Sequence, residues 1–282
     1  MQAMIRTVVR MAHAPVRLWN HLLGLILYQF FLRGMWWMFH LAFNLQKVEV
    51  TTESDELDLD RLTEVPRLYI SWHARLLGAV PMLQVCHEMH AVSMPHRGWG
   101  NEGVFQRSLR SALFTNMHRK GFRFIELRHR ESREKIVERI AERLKEGKLV
   151  LMTADSPKGG AFVAQLGGIL AASQSGVELV PYSFSSSRKI RINPFWDNFM
   201  TPVPFGTFHL RLGTPMRFSP QMDEQALEQA RQQLALSLNR LTLETDDRAG
   251  IRREYRLRAP EMTAREELRS PGLLESVRRS SR

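Results

Sequence analysis

Residues 68–78 read LYISWHARLLG, and the fold turns on them. Four largely apolar residues ending at Ser71 have the length of a buried strand, after which Trp72, His73 and Arg75 stand where a helix should begin. In open α/β folds that junction is where chemistry is kept. Histidine titrates near neutral pH and can take a proton from a hydroxyl. A strand-end His73 beside Arg75 is therefore a candidate general base next to an anion contact. By itself, a His after a strand is more often an ordinary, partly buried polar residue. The catalytic reading depends on what the rest of the chain brings to the same place.

Outward from this stretch the pattern alternates. Short apolar runs at Ala91–Ser93, Phe122–Ile125, Leu149–Thr153 and Glu178–Phe184 are separated by segments of helical length, which predicts an α/β fold with a mostly parallel central sheet and flanking crossover helices. The clearest helix is Ser132–Glu146, where Ile136, Val137, Ile140, Ala141 and Leu144 recur at three- and four-residue spacing and Gly147 supplies the stop. Another is expected to start with Ser219 as cap and Pro220 in the first turn, and to run through Leu227, Leu234 and Leu241. Phe208–Leu212 alternates like a strand. Val180-Pro181 closes a buried strand, with the proline where an edge or bulge tolerates it.

Two further strand ends carry polar groups. Leu149–Gly160 reads LVLMTADSPKGG, so Thr153, Asp155 and Lys158 follow an apolar strand. Gly121–Arg130 reads GFRFIELRHR, so Arg128 and Arg130 follow another, although a charge run is usually a solvated loop. In a parallel sheet all of these ends share one edge with His73.

The flanks differ from this core. Residues 1–48 carry Arg6, Arg10 and Arg17, then the uncharged run Leu18–Leu32, then Arg33 and a second uncharged run, Gly34–Gln46, with Trp36, Trp37, Phe39 and Phe43. Each run is shorter than the ~20 residues a spanning helix needs, and no clear small-residue cleavage site follows. One or two monotopic helices lying in a membrane interface are expected, with a single span or a soluble packed helix as the alternatives. Residues 49–66 read as an acidic, polar linker and residues 247–282 as a basic tail, leaving 67–246 for the globular domain.

Lys and Arg exceed Asp and Glu by 40 − 29 = 11, so the surface favours polyanions. No nucleic-acid-binding module accompanies that charge, and anionic membrane accounts for it at least as well. One cysteine, Cys86, excludes an internal disulfide. The Cys86-His87-Glu88-Met89-His90 run places its histidines three apart rather than four, so no metal is expected. There is no Gly-x-Ser-x-Gly elbow, phosphate-binding Gly-rich loop or dinucleotide fingerprint.

Taken together, Trp72-His73-x-Arg75, Phe124-Ile125 with Arg128, Thr153-x-Asp155-x-Pro157-Lys158-Gly159 and Val180-Pro181 resemble the glycerolipid and lysophospholipid acyltransferase superfamily. Within it the chain is most similar to a bacterial branch of unknown function carrying Trp-His-x-Arg and Thr-Pro-Asp-Gly-Pro-Arg-Gly, and Phe195-Trp196-Asp197 with Pro202 and Pro204-Phe205 is similar to that branch too. The resemblance covers roughly residues 65–245.

It implies a membrane-associated O-acyltransferase on the cytoplasmic face of the inner membrane. Such an enzyme moves a fatty acyl group from acyl-CoA or an acyl-carrier protein to a lysophospholipid-like or glycolipid hydroxyl, with membrane phospholipids as partners and no bound cofactor. His73 then matches the catalytic base, and Arg128 and Lys158 match positions that hold the acceptor's phosphate. Asp155 matches the acidic residue of the superfamily's Glu-Gly-Thr-Arg block, and Arg75 is assigned to anionic substrate. A non-catalytic lipid-binding protein on the same fold is the alternative, and a basic nucleic-acid-binding protein a more distant one.

The chain also departs from the pattern. The superfamily's Asp five positions after the His is Gly78 here, which leaves Asp155 and Glu126 as candidate imidazole partners. His96–Glu102 and Glu126–Arg130 replace two further branch motifs. His73, Asp155, Arg128 and Lys158 are expected to converge at one sheet edge.

Overall fold

A computed structural model describes residues 14–55, 57, 62, 64–86, 88–93, 104–126, 131–192 and 196–251. Arg128, Arg130, the 96–102 segment and most of the basic tail lie outside the described residues. The chain forms two compact units, Met1–His40 with Pro95–Lys120, and Leu41–Met94 with Gly121–Arg282.

The first unit contains most of helix α1 (Ala14–Asn44), and α3 (Val104–Arg119). The two apolar runs form one continuous helix that passes through Arg33 and Gly34. Tyr28 Oη lies 3.1 Å from Thr115 Oγ1, and Asn116 Nδ2 donates to the Leu32 carbonyl at 3.0 Å. Trp19, Ile26, Phe30 and Trp37 of α1 are exposed. No helix among the described residues is long and apolar enough to cross a membrane.

The second unit is built on a seven-stranded sheet. Its strands are β1 (Lys47–Thr52), β2 (Arg67–Ser71), β3 (Met89–Ser93), β4 (Phe122–Glu126), β5 (Val150–Thr153), β6 (Glu178–Ser186) and β9 (Thr207–Leu212). A separate hairpin, β7 (Lys189–Ile192) and β8 (Phe199–Pro202), lies between β6 and β9 in sequence. The sheet order is β1-β9-β6-β2-β5-β3-β4. The five strands from β6 to β4 run parallel, β9 is antiparallel to β6, and β1 is parallel to β9. The sheet is thus mostly parallel, as the apolar rhythm predicts.

β1 lies where the sequence reads as the start of a linker. Val48 and Val50 alternate with Lys47 and Glu49, a half-buried strand pattern, and Glu49 reaches His209 Nδ1 at 3.1 Å across the pair. The first residues of the segment expected to be a linker therefore belong to an edge strand of the sheet.

Helix α4 (Arg133–Lys145) follows its sequence signals closely. Ser132 Oγ accepts the Lys135 N–H, Gly147 turns the chain at φ +80°, and Val137, Ile140, Ala141 and Leu144 are buried. Helix α6 (Glu224–Arg248) begins later than Ser219-Pro220 suggests. The Ser219 hydroxyl accepts the Gln221 N–H, forming a turn, and Asp223 caps the helix through the Ala226 N–H at 2.7 Å. Leu227, Ala230, Leu234 and Leu238 of α6 share one core with α4, with Leu68 and Ile70 of β2, and with Ile169 and Leu170 of α5 (Gly167–Ser175).

Pro181 lies in a central strand rather than at an edge. It pairs with Ile70 on one side, and its carbonyl accepts the Gly213 N–H at 2.7 Å on the other. Tyr182 faces Leu212 while Leu179 faces Met216, so the partner segment carries one extra residue beside the proline. That bulge is what lets a residue without an N–H sit inside the sheet.

Candidate active site

β2 ends at Ser71, whose partner on β5 is Thr153. Two residues beyond each strand end stand His73 and Asp155. Trp72 keeps an extended backbone, and a 3₁₀ segment, His73–Gly78, leads into helix α2 (Ala79–Cys86). No side chain of the segment caps its first N–H. Asp155 does so from the neighbouring strand, with Oδ1 accepting the His73 backbone N–H at 2.7 Å. Its Oδ2 accepts the Phe162 N–H at 2.8 Å, and the Phe162 ring meets the buried Trp72 indole edge-on.

Both oxygens of Asp155 are therefore directed at backbone. This corrects Asp155 as the imidazole's partner: it fixes where His73 starts rather than how its ring points. Burial pushes the Asp155 carboxyl up to about 6, against the downward pull of its two N–H donors. Glu126, the other candidate, stands apart in the sheet. It ends β4, three strands from β2 in the sheet order, roughly 14 Å away at ~4.8 Å per strand.

The imidazole is held by Asp197, whose Oδ2 lies 2.7 Å from His73 Nδ1. Asp197 sits at the tip of the β7–β8 hairpin, next to Asn198, whose φ of +54° turns the chain. Its side chain has no solvent exposure, whereas that of His73 is 27% exposed. Trp196 and Phe199 place their rings 5.3 Å from the imidazole. A carboxylate accepting from Nδ1–H leaves the Nε2 lone pair as the basic site. The hairpin thus supplies a carboxylate, an apolar flank and a fixed ring orientation together.

Gly78 has no room for a side chain, so no carboxylate could reach the imidazole from that position. A Cβ there would lie 2.9 Å from Tyr182 Cε2 and 3.1 Å from Phe184 Cδ1, so the aromatic side chains of β6 fill the space. Asp197 carries no periodicity signal. In the sequence it stands only as one of the three residues Phe195-Trp196-Asp197.

Arg75 is corrected as well. Its guanidinium is buried and forms a bidentate pair with Asp246 of α6, both bonds at 3.0 Å, while donating to the Phe184 carbonyl at 3.0 Å and facing Met200 Sδ at 3.1 Å. Ser185 Oγ donates to the same carboxylate at 2.6 Å. The cation fastens the 3₁₀ segment to β6, β8 and α6 and is out of reach of a substrate. Lys158 is exposed in the turn that follows Asp155, at the same sheet edge as His73. Arg128 lies outside the described residues, and among those described no cluster of three metal-ligating side chains occurs.

No family model matches the chain. An uncharacterized protein of Rickettsia prowazekii (strain Madrid E) is 32% identical over 77 residues, 27% of this chain and 35% of that protein, so the match spans about a third of the relative's length. Among solved structures, the 1-acyl-sn-glycerophosphate (LPA) acyltransferase PlsC from Thermotoga maritima is similar with a TM-score of 0.41 and 15% identity, covering 80% of this chain and 81% of that one.

Proposed function

We propose that the protein is an O-acyltransferase that moves a fatty acyl group from a CoA or carrier-protein thioester to the hydroxyl of a lysophospholipid-like or glycolipid acceptor. The observation that carries this reading is the His73–Asp197 pair at the C-terminal edge of the parallel strands, with the carboxylate buried and the His73 side chain 27% exposed. The acceptor hydroxyl gives its proton to His73 Nε2 as its oxygen attacks the thioester carbonyl. The tetrahedral oxyanion collapses, the C–S bond breaks, and the thiolate takes the proton back from the imidazolium. Asp197 stabilises that imidazolium and fixes the tautomer that receives the proton. Positioned base catalysis of this kind supplies ~10²–10⁴ in rate. No nucleophilic Ser or Cys is required, because the acceptor attacks directly.

Lys158, exposed beside the site, and Arg128, by the motif likeness, are the cations we assign to the acceptor's anionic headgroup. The exposed apolar side chains of α1 support attachment to the membrane, on the cytoplasmic face where acyl thioesters are made. The test is acyl transfer by the purified full chain in mixed micelles, with labelled acyl thioester, a panel of lysolipid acceptors and His73→Ala as control. New acylated lipid that vanishes in the variant supports the class and the base together. Product that persists in the variant refutes the base. Lipid binding without product for any acceptor favours a non-catalytic lipid-binding protein.

A further inference from the structure

The turn from β8 into β9 presents a feature the chemistry does not use. Phe205 adopts φ +64°, a left-handed backbone that glycine or asparagine takes without strain, and its side chain is 72% exposed. A large aromatic held in an unfavourable conformation, in water, gains nothing from the fold itself. Its surroundings say what it is for. The Phe205 N–H donates to the Leu45 carbonyl at 2.9 Å, the Lys47 N–H to Gly206 at 3.1 Å and the Val203 N–H to Arg188 at 3.0 Å. Three chain segments therefore meet at this turn. Leu45, which meets the turn, and Leu41, one helical turn before it, are exposed. Two basic residues stand on the same segments, Arg188, exposed, and Lys47, whose side chain is 73% exposed and lies 2.7 Å from Glu49.

An aromatic at the crown, aliphatics beside it and cations around it match the layering of an anionic bilayer surface, where rings sit at headgroup depth and ammonium or guanidinium groups meet phosphates. We propose that this turn, through Phe205, Leu45 and Leu41 with Lys47 and Arg188, seats the domain on an anionic lipid surface. Strand β8, about 10 Å long, joins the turn to Phe199 and Asp197 beside His73, so the seat and the base are parts of one hairpin. The proposal rests on the reading of the chain as an enzyme of lipid substrates.

The test uses the full chain carrying Phe205→Cys, labelled with an environment-sensitive thiol dye, the buried Cys86 being the only other thiol. Mixed with phosphatidylglycerol-containing vesicles, the dye at 205 is expected to brighten several-fold, shift to the blue and be quenched by headgroup-labelled lipid. A dye at Leu236→Cys, exposed on α6, should remain in water. Lys47→Glu with Arg188→Glu should raise the half-saturating lipid concentration several-fold. Phe205→Asn should do likewise while keeping or raising the melting temperature, because asparagine tolerates the left-handed backbone. A dye at 205 that stays in water while the protein sediments with vesicles overturns the proposal, as does a protein that binds none. A response to protein concentration without lipid also overturns it, and points to a second copy as occupant. The dye needs no turnover, so loss of acyl transfer in micelles would refute the enzymatic reading without altering this result.

Discussion

His73 Nδ1 and Asp197 Oδ2 lie 2.7 Å apart across 124 residues of sequence. The imidazole and its carboxylate come from different elements, a strand end and a hairpin tip, and the carboxylate is fully sheltered from water. The position five residues after the His, Gly78, is closed by Tyr182 and Phe184. The imidazole is nonetheless oriented.

Asp197→Asn is expected to lower kcat on the order of 10²-fold with little change in KM, because the amide can no longer stabilise the imidazolium or enforce the Nδ1–H tautomer. The pH–rate profile should lose its dependence on this pair, while the melting temperature stays near wild type. Kinetics against pH on purified variants check this. Unchanged kcat would remove Asp197 from the mechanism.

Moving the carboxylate back is expected to fail. Gly78→Ala inserts a Cβ against two aromatic rings and should cost about 1–3 kcal/mol, and Gly78→Asp more, since it also buries a charge. Urea denaturation reads both. Gly78→Asp in an Asp197→Asn background should not restore turnover.

Arg75 and Asp246 form a buried bidentate pair, so removing one partner leaves the other charge without water. Arg75→Met or Asp246→Leu alone should each destabilise by about 3–5 kcal/mol, and the two together should recover much of that. Chemical denaturation of the double-mutant cycle measures it. For Arg75→Met, the apparent kcat should follow the folded fraction, while the KM for an anionic acceptor stays near wild type.

Asp155 gives a pH dependence of defined sign. Its carboxyl, at about 6 in the folded chain against 3.8 ordinarily, keeps a proton that the unfolded chain releases. Its contribution is therefore greatest below about pH 4, falls as pH climbs to about 6 and is flat beyond, by up to about 3 kcal/mol in all. Glu178 and Glu228, held low by arginines, slope the opposite way. The difference between wild type and Asp155→Asn isolates the term, and unfolding free energies from pH 4 to 7 should converge towards the acid end.

Much of the scaffold was legible in the sequence because it is written in local periodicity. Leu68–Ser71, Phe122–Ile125 and the α4 stripe declare their elements within a few residues. β1 was not legible, since its partner lies 160 residues away and its alternation is masked by charge. His73 was legible as a strand-end His. Its carboxylate partner was not, because which of several acids meets an imidazole is decided by packing around Gly78 and by a hairpin tip, neither of which has a period. Arg75 misled for the same reason: a cation two residues from a base looks like a substrate contact until Asp246 is brought against it.

That pair has a consequence for how the protein comes to be made. The guanidinium that pins the segment carrying His73 has to wait for a carboxylate 171 residues further along, near the end of the last described helix. A chain that stops short of Asp246 carries the strand and the imidazole, yet lacks the carboxylate that holds the Arg75 guanidinium. The surroundings of the imidazole are then completed late, only once the last described helix has been made.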